Sequence, residues 1–218
     1  DGKDDFLSFS GPRQSTEAIS VFILAAPKAN PGMFSALFGA AESGRNDYTS
    51  GLNFDFGPAA TPDLSVLNVE SAGATGFRDL LVPGFLNAAE RPFGDFHVFT
   101  VRSKGGKAGT EVFLDGFKGG ERDRAASAIG IDHMTIGSRL YSNDGNQPPF
   151  AQGSLDGAIA EVLIYNRALS DDERRAIEQS LLARTVALNA LLHGAKGHAL
   201  EMVKNPPPCW TWPRPLQT

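Results

Sequence analysis

The sequence predicts an all-β fold of antiparallel strands, arranged as two packed sheets or a barrel and closed by a single late helix. Three observations carry this. Nine segments alternate apolar and polar side chains and are enriched in β-branched and aromatic residues, the period of two that a half-buried strand requires. Turn-rich pieces such as APKANPG, GPAATPD and SKGGKAG separate them, and no helical stretch intervenes to carry a crossover between parallel neighbours. One amphipathic helical pattern follows, beginning only at Ser170.

The strand segments are residues 6–10, 19–25, 34–41, 51–56, 64–70, 96–103, 111–114, 133–136 and 159–164. Within FTVRSKGGKAGTEVFLDGFKGGER, the KGGK stretch turns one strand onto the next, and Asp115-Gly116 closes a second tight turn because both residues tolerate positive φ. A meander is expected there, with Asp115 as a turn residue. His97 and His133 fall inside strand patterns and read as hydrogen-bonded strand histidines. The helix opens with Ser170 as N-cap and Glu173 three residues on, a capping box with acids in the first turn. Ala176, Ile177, Leu181 and Leu182 form its apolar stripe, for which the sheet completed by the strand at 159–164 is the expected floor.

Composition narrows the function. The 24 Gly and 15 Phe among 218 residues suit many short strands joined by tight turns and argue against disorder. A net charge of −5 without a run of like charges excludes a nucleic-acid footprint and a polybasic membrane anchor. No apolar run approaches the roughly 20 residues that span a bilayer, and DGKDD opens the chain without signal-peptide character, so no membrane insertion is expected. The single Cys209 excludes an internal disulfide framework and a cysteine zinc site. Residues 1–184 read as one domain. Over 185–218 a short helical pattern at 186–192 is broken by Gly194 and Gly197, and prolines 206–208 require an extended segment, so this part reads as a linker or tail toward a further module.

Three fragments then carry a resemblance. VFLDGFKGG, MTIGSRLYSNDG and LDGAIAEVLIYNRALSDDERRAIEQSL resemble the C-terminal half of laminin G-like, concanavalin A-like lectin-glucanase jelly-roll domains of bacterial secreted proteins. Upstream, GKDDFLSF and GRNDYTSGLNFDFG with NVESAG resemble the bacterial laminin G domains of large extracytoplasmic modular proteins. The likeness covers residues 3–184. It implies a two-sheet antiparallel β-sandwich with one C-terminal closing helix, an extracytoplasmic or secreted setting, and a rim calcium. Many relatives read Ile-Asp-Glu-Val where this chain has Ile159-Ala160-Glu161-Val162, so an acidic side chain common in the family is absent here.

Three polar clusters are denser than turns require. The first offers Arg45, Asn46, Asp47, Tyr48 and Asn53, the second Asn68 and Glu70, and the third Arg139 and Tyr141. Converging, they would give an aromatic face for the apolar side of a pyranose and planar amide, carboxylate and guanidinium groups for its hydroxyls. The expected function is a noncatalytic module that binds a poly- or oligosaccharide, another surface, or a neighbouring module of the same chain. Asn143, Asp144 and Asn146 beside Gly145 are candidate calcium ligands; with one carboxylate among them, they would need help from Asp4, Asp5 or Asp47. No G-x-S-x-G, Walker loop, H-E-x-x-H or Glu-x-Asp-x-x-Glu occurs, although a glycoside hydrolase or polysaccharide lyase on the same fold remains the alternative, as does a structural or protein-docking spacer. Glu70 sharing an open groove with a second acid would favour the hydrolase.

Overall fold

The computed structural model describes residues 2–194. Strands β1 (Leu7–Ser10), β2 (Ser15–Thr16), β3 (Ile19–Pro27) and β4 (Ala36–Ala41) precede a single helical turn, α1 (Asp47–Ser50). Then come β5 (Leu52–Asp55), β6 (Asn68–Ser71), β7 (His97–Ser103), β8 (Gly106–Leu114), β9 (Phe117–Arg124), β10 (Ile129–Gly130) and β11 (His133–Ile136). Strands β12 (Arg139–Tyr141), β13 (Phe150–Gln152) and β14 (Gly157–Tyr165) lead into the closing helix α2 (Asp171–Leu192). Two five-stranded sheets result, ordered β1-β11-β4-β5-β6 and β14-β3-β7-β8-β9, with antiparallel neighbours throughout. The fold is a two-sheet jelly-roll sandwich, which settles the choice between sandwich and barrel.

Alternation explains what each face holds. Strand β5 turns Leu52 and Phe54 into the inter-sheet core, and β6 does the same with Val69. From the other sheet come Ile19, Val21, Ile23 and Ala25 of β3, Phe99 and Val101 of β7, and Val112 and Leu114 of β8. Each of the Val, Leu, Ile and Phe side chains among these contributes about 1.5–3 kcal/mol on full burial. Strand β3 is buried at all nine positions, because its opposite face, Phe22, Leu24 and Ala26, is roofed by α2. The expected β7-β8-β9 meander is present, and Asp115 (φ 53°) and Gly116 (φ 84°) make its second turn. Asp115 also fixes β7: one oxygen accepts the Val98 N–H at 2.8 Å and the other meets His97 Nδ1 at 2.7 Å. Strands β2, β10, β12 and β13 were not expected, since two or three residues are too short to show a period.

The helix matches the sequence reading in outline and differs in detail. Its capping box is formed as expected, and it lies on the expected sheet, mainly over β3 and β7: Ile177, Leu181, Leu182 and Leu188 pack with Phe22, Leu24, Phe96 and Val98, and Ala158, Leu163 and Tyr165 of β14 join the same cluster. The stripe therefore follows 174, 177, 178, 181, 188, and Ala176 is exposed. Ile164, expected beneath the helix, pairs with Val21 and so shares the inter-sheet face, at an edge where it stays 38% exposed. Finally, α2 runs through Arg184 to Leu192 without a break, and the Asn189 side chain ties it to the Phe96 N–H at 2.6 Å. Residues 195–218, with prolines 206–208 and Cys209, lie outside the described residues, as does most of the expected linker.

These placements separate two variants. Leu181→Asp puts a charge where the native side chain is 1% exposed and is expected to cost roughly 3–5 kcal/mol, whereas Ile164→Asp at the open edge is expected within about 1 kcal/mol of the native protein. Denaturant melts of the two side by side check the placement; equal losses would show that the helix does not lie where described.

Candidate functional site

The face of the first sheet that turns away from the core is polar. Register places Asn53 opposite Glu70 and Asp55 opposite Asn68, and alternation directs all four to the side that Leu52, Phe54 and Val69 do not use. Two elements then cover them. Strand β12 crosses close above β4, where a Cβ on Gly39 would come within 2.8 Å of Thr135 Oγ1 and 3.2 Å of the Ser138 carbonyl oxygen. From the opposite side α1 delivers Asp47, its chain held so tightly to β4 that a Cβ on Gly51 would sit 1.9 Å from the Ala40 carbonyl oxygen. A side chain at Gly51 would collide with backbone, and one at Gly39 would force Thr135 and the Ser138 carbonyl to shift.

Arg139 is the centre of this layer. Its Nη2 donates to Asp47 Oδ1 at 3.0 Å and its Nε to Asp47 Oδ2 at 3.3 Å, while Nη1 reaches Asp55 Oδ2 at 3.1 Å and Glu70 Oε2 at 3.4 Å. Asp55 is further held by the Asn68 amide at 3.1 Å, the Gly57 N–H at 2.7 Å and the Asn53 amide. Asp47 accepts the Leu140 N–H at 2.9 Å, and Glu70 the Gly76 N–H at 2.6 Å. Arg139, Asp47, Asp55, Asn53 and Asn68 are almost completely sealed from solvent, with Glu70 nearly so. Aromatic rings close the assembly: the guanidinium carbon lies 4.8 Å from the Tyr141 ring centre, 5.0 Å from Phe34 and 5.7 Å from Tyr48, within reach of cation–π attraction.

Three carboxylates face one guanidinium, so the charge is incompletely compensated. Burial pushes Asp55 up to about 6, against the pull of Arg139 and of the Gly57 and Asn68 hydrogen bonds. Burial likewise raises Asp47, again opposed by Arg139. Desolvation works against the Arg139 charge, but Asp47, Asp55 and Glu70 overcome it and hold the group above its usual range. Asn53 Oδ1 is buried without a hydrogen-bond partner among the described residues.

All three polar clusters thus converge, though mostly inward. Asp47, Asn53, Asn68, Glu70 and Arg139 hold one another, and Tyr48 and Tyr141 lie over them. Asn46 joins two loops: its Oδ1 accepts the Ser142 N–H at 2.9 Å, and its Nδ2 donates to the Ser142 carbonyl and the Tyr48 hydroxyl, both at 3.0 Å. Arg45 is exposed and paired with Glu42 at 2.8 Å. Sequence reasoning missed Asp55 and Phe34. Asp55 is two residues beyond Asn53 on the same strand face and was findable by period. Phe34 was assigned to a strand, yet it and Met33 have φ of 58° and 57°, a left-handed pair costing roughly 1–2 kcal/mol per residue. This turn is pinned by the Met33 N–H to Pro58 O at 3.0 Å and the Phe34 N–H to Gly57 O at 2.8 Å, and it sets the Phe34 ring against Tyr141 and Phe77.

Asn143, Asp144 and Asn146 lie exposed on the β12–β13 loop. Asp144 and Asn146 join Arg45, Asn46, Thr49 and Gln147 in lining one open, polar groove of about 390 Å³. The residues do not fit a calcium ion in the way expected. Asp144 Oδ1 is spent on the Asn146 N–H of its own turn at 2.9 Å, and Asp47, the carboxylate that was to assist, is taken by Arg139 and Leu140. Among the described residues no cluster of three or more His, Cys, Asp or Glu has a metal-holding arrangement. Glu70 and Asp55 share a site, but a sealed one with no room for a substrate, so it lends no weight to a hydrolase.

The buried carboxylates carry a pH signature. Unfolded, Asp55 titrates near 4; folded, it keeps its proton up to about 6. Between those values folding takes up a proton, so stability rises as pH falls and the gain, about 2–3 kcal/mol, is absent above pH 6 where the buried carboxylate is ionised. Asp47, raised in the same direction, adds to this. His97 is also raised, the burial that opposes its charge being outweighed by Asp115; its contribution is lost as pH rises and follows the same trend. Asp55→Asn separates them: the native protein is expected to gain stability from about pH 7.5 to about pH 5, and the variant to gain clearly less, as read from thermal melts across that range. Parallel pH curves for the two would refute the assignment.

No family model matches the chain, and none of the curated proteins matches it. Among solved structures, the heptameric SAP-like pentraxin of Limulus polyphemus is similar over 81% of this chain and 76% of its own, with a TM-score of 0.57 and 15% identity. Trypanosoma rangeli sialidase in complex with sialic acid aligns at TM-score 0.48 and 18% identity over 75% of this chain, which spans only 23% of the sialidase. A Bacteroides ovatus protein provisionally described as carbohydrate binding aligns at 0.43 and 12% identity over 78% of this chain and 44% of that one. Of these three only the pentraxin is close enough to bear on architecture, and it supports the jelly-roll sandwich alone.

Proposed function

We propose that this chain is a noncatalytic binding module of the laminin G-like kind, carried in a larger extracytoplasmic protein, that holds a saccharide at the rim of its first sheet. The observation that carries this reading is the groove between loops 44–49 and 142–149. Two stretches almost 100 residues apart in sequence supply its walls, and Asn46 ties them together through both its oxygen and its nitrogen. The lining holds a guanidinium, amides, a hydroxyl and a carboxylate in one place: Arg45, Asn146, Gln147, Thr49 and Asp144. Such a set pairs donors and acceptors with vicinal hydroxyls, and a shallow, open groove suits a chain-like glycan better than an enclosed metabolite.

The same geometry disfavours turnover. Hydrolysis of a glycosidic bond by the usual route needs two carboxyl groups flanking the bond, about 5–10 Å apart. Asp144 is the one carboxylate among the groove-lining residues, and the three acids of the adjacent cluster are sealed beneath aromatic rings. Among the described residues no helix is long and apolar enough to cross a membrane, which is compatible with a module displayed on a larger chain.

The test uses a panel of neutral and acidic polysaccharides in affinity electrophoresis, with reducing-sugar release measured in parallel. At least one polysaccharide is expected to retard the native protein without being cleaved. Arg45→Ala combined with Asn146→Ala removes two exposed side chains and is expected to weaken that retardation roughly tenfold, about 1.4 kcal/mol, with an unchanged melting temperature. Undiminished retardation would remove the groove as the site, and sugar release would replace binding by catalysis.

A further inference from the structure

We propose that a row of aromatic rings, Phe150, Tyr141, Phe34 and Phe77, continues the polar groove as a stacking track, and that the ligand is a neutral, extended glycan of β-linked glucose or xylose units. The inference rests on the saccharide reading of the groove and specifies its ligand class. Ser142 and Pro149 line the groove, and their neighbours in the chain, Tyr141 and Phe150, are direct partners in the β12–β13 ribbon, so the two side chains lie on one face of it. From Tyr141 the row passes to Phe34, with ring centres 6.4 Å apart, and from Phe34 to Phe77 at 6.3 Å. Groove and rings form one path, longer than a single sugar covers.

The rings are presented as well as exposed. Phe77 and Phe150 stay 46% and 45% exposed, and an exposed apolar row bordered by polar groups marks an interaction site. Phe77 is seated on backbone, since a Cβ on Gly57 would come within 2.7 Å of its ring. Phe34 and Tyr141 are held from beneath by the Arg139 guanidinium at 5.0 and 4.8 Å, and Phe34 reaches its place through a left-handed backbone, φ 58°, the kind of strain that collects at ligand sites. Fixed ring faces carry partial negative charge and meet the C–H side of a pyranose with little side-chain freedom left to lose. That side is broadest where the hydroxyls are equatorial, as in glucose and xylose. Charge then selects among such ligands. Arg45 in the groove is paired with Glu42 at 2.8 Å, Arg139 faces three carboxylates, and Asp144 adds a further negative charge to the groove lining, so a uronate polymer meets like charge and a neutral chain does not.

The experiment uses affinity electrophoresis in hydroxyethyl cellulose, arabinoxylan and polygalacturonate, and calorimetric titration with cellobiose, cellohexaose, xylobiose and xylohexaose. The native protein is expected to be retarded by a neutral polymer and not by polygalacturonate, and to bind the matching hexaose roughly tenfold more tightly than the biose, because only the longer chain reaches the rings. Phe77→Leu keeps apolar bulk on Gly57 without a ring face; it is expected to melt with the native protein and to lose most of that gain, while Phe77→Trp keeps it. Phe150→Leu, beside the groove, is expected to weaken both lengths. A hexaose bound no better than the biose, or Phe77→Leu and Phe150→Leu proteins that bind like the native one, would overturn the track and leave the groove standing. Retardation by polygalacturonate alone, or by none of the three polymers while another polysaccharide is held, would overturn the ligand class. A native protein that no polysaccharide retards would remove the saccharide reading itself, and this inference with it.

Discussion

Arg139 is a charge placed where water does not reach, and the shape of the whole outer layer follows from satisfying it. A guanidinium buried in an apolar site is untenable unless acceptors surround it, and this one draws them from three directions: α1, β5 and β6. Each acceptor is itself fixed by backbone donors at Leu140, Gly57 and Gly76, so the network ties secondary structure together and not just side chains. Removing one member of such a set leaves another uncompensated, commonly at about 3–5 kcal/mol.

A buried ion network is nonetheless weak evidence for stability, since apolar packing of equal volume often serves as well. What apolar packing lacks is direction. Strand β12 and its partner β13 form a two-stranded ribbon outside the main sheets, and such a ribbon has few ladder bonds to hold its position. A two-pronged grip on Asp47 admits one placement of β12 over β4, and the glycines at 39 and 51 permit the approach. The opposite side of the sandwich shows the contrasting solution. There α2 covers β3 and β7 mainly with Leu181, Leu182 and Ile177, and it also carries ion pairs: Arg174 with Glu178 beside Phe113, Asp171 with Arg102, and Arg184 with Glu161.

Much of the architecture was legible because it depends on local period. The alternation at 51–56 and 68–70, the Asp-Gly turn at 115, and the Ser170–Glu173 cap each declare themselves within a few residues. What failed to show depends on distance. Which strands of the expected sheet lie under α2 is decided by sheet order, which brings β3 and β7 together from positions some 80 residues apart, so the sequence points to the sheet but not to those two strands. The polar clusters were recognisable as clusters, but burial was not: Asp47 and Tyr48 are adjacent in sequence, and one is sealed while the other remains half-exposed. Whether Asn68 and Glu70 face solvent or Arg139 depends on a hairpin that begins 69 residues later, and β12, with three residues, has no readable period.

The strained turn at Met33 and Phe34 completes the argument for a shaped outer face. Neither residue is a glycine, both sit in the left-handed region, and Met33 is among the most exposed apolar side chains described. A sandwich that needed only to fold could relieve this cost with glycine, as it does at Gly32 (φ 85°) immediately before. Retaining a ring at position 34 instead places it over Arg139 and edge-on to Tyr141 and Phe77. The strain, the buried charge and the aromatic lid therefore belong to one structure: a tied floor beneath two loops whose polar side chains line an open groove. For the proposed binding of a hydroxyl-rich ligand, a tied floor and a polar groove above it are favourable, because a preorganised groove leaves less entropy to be lost on binding.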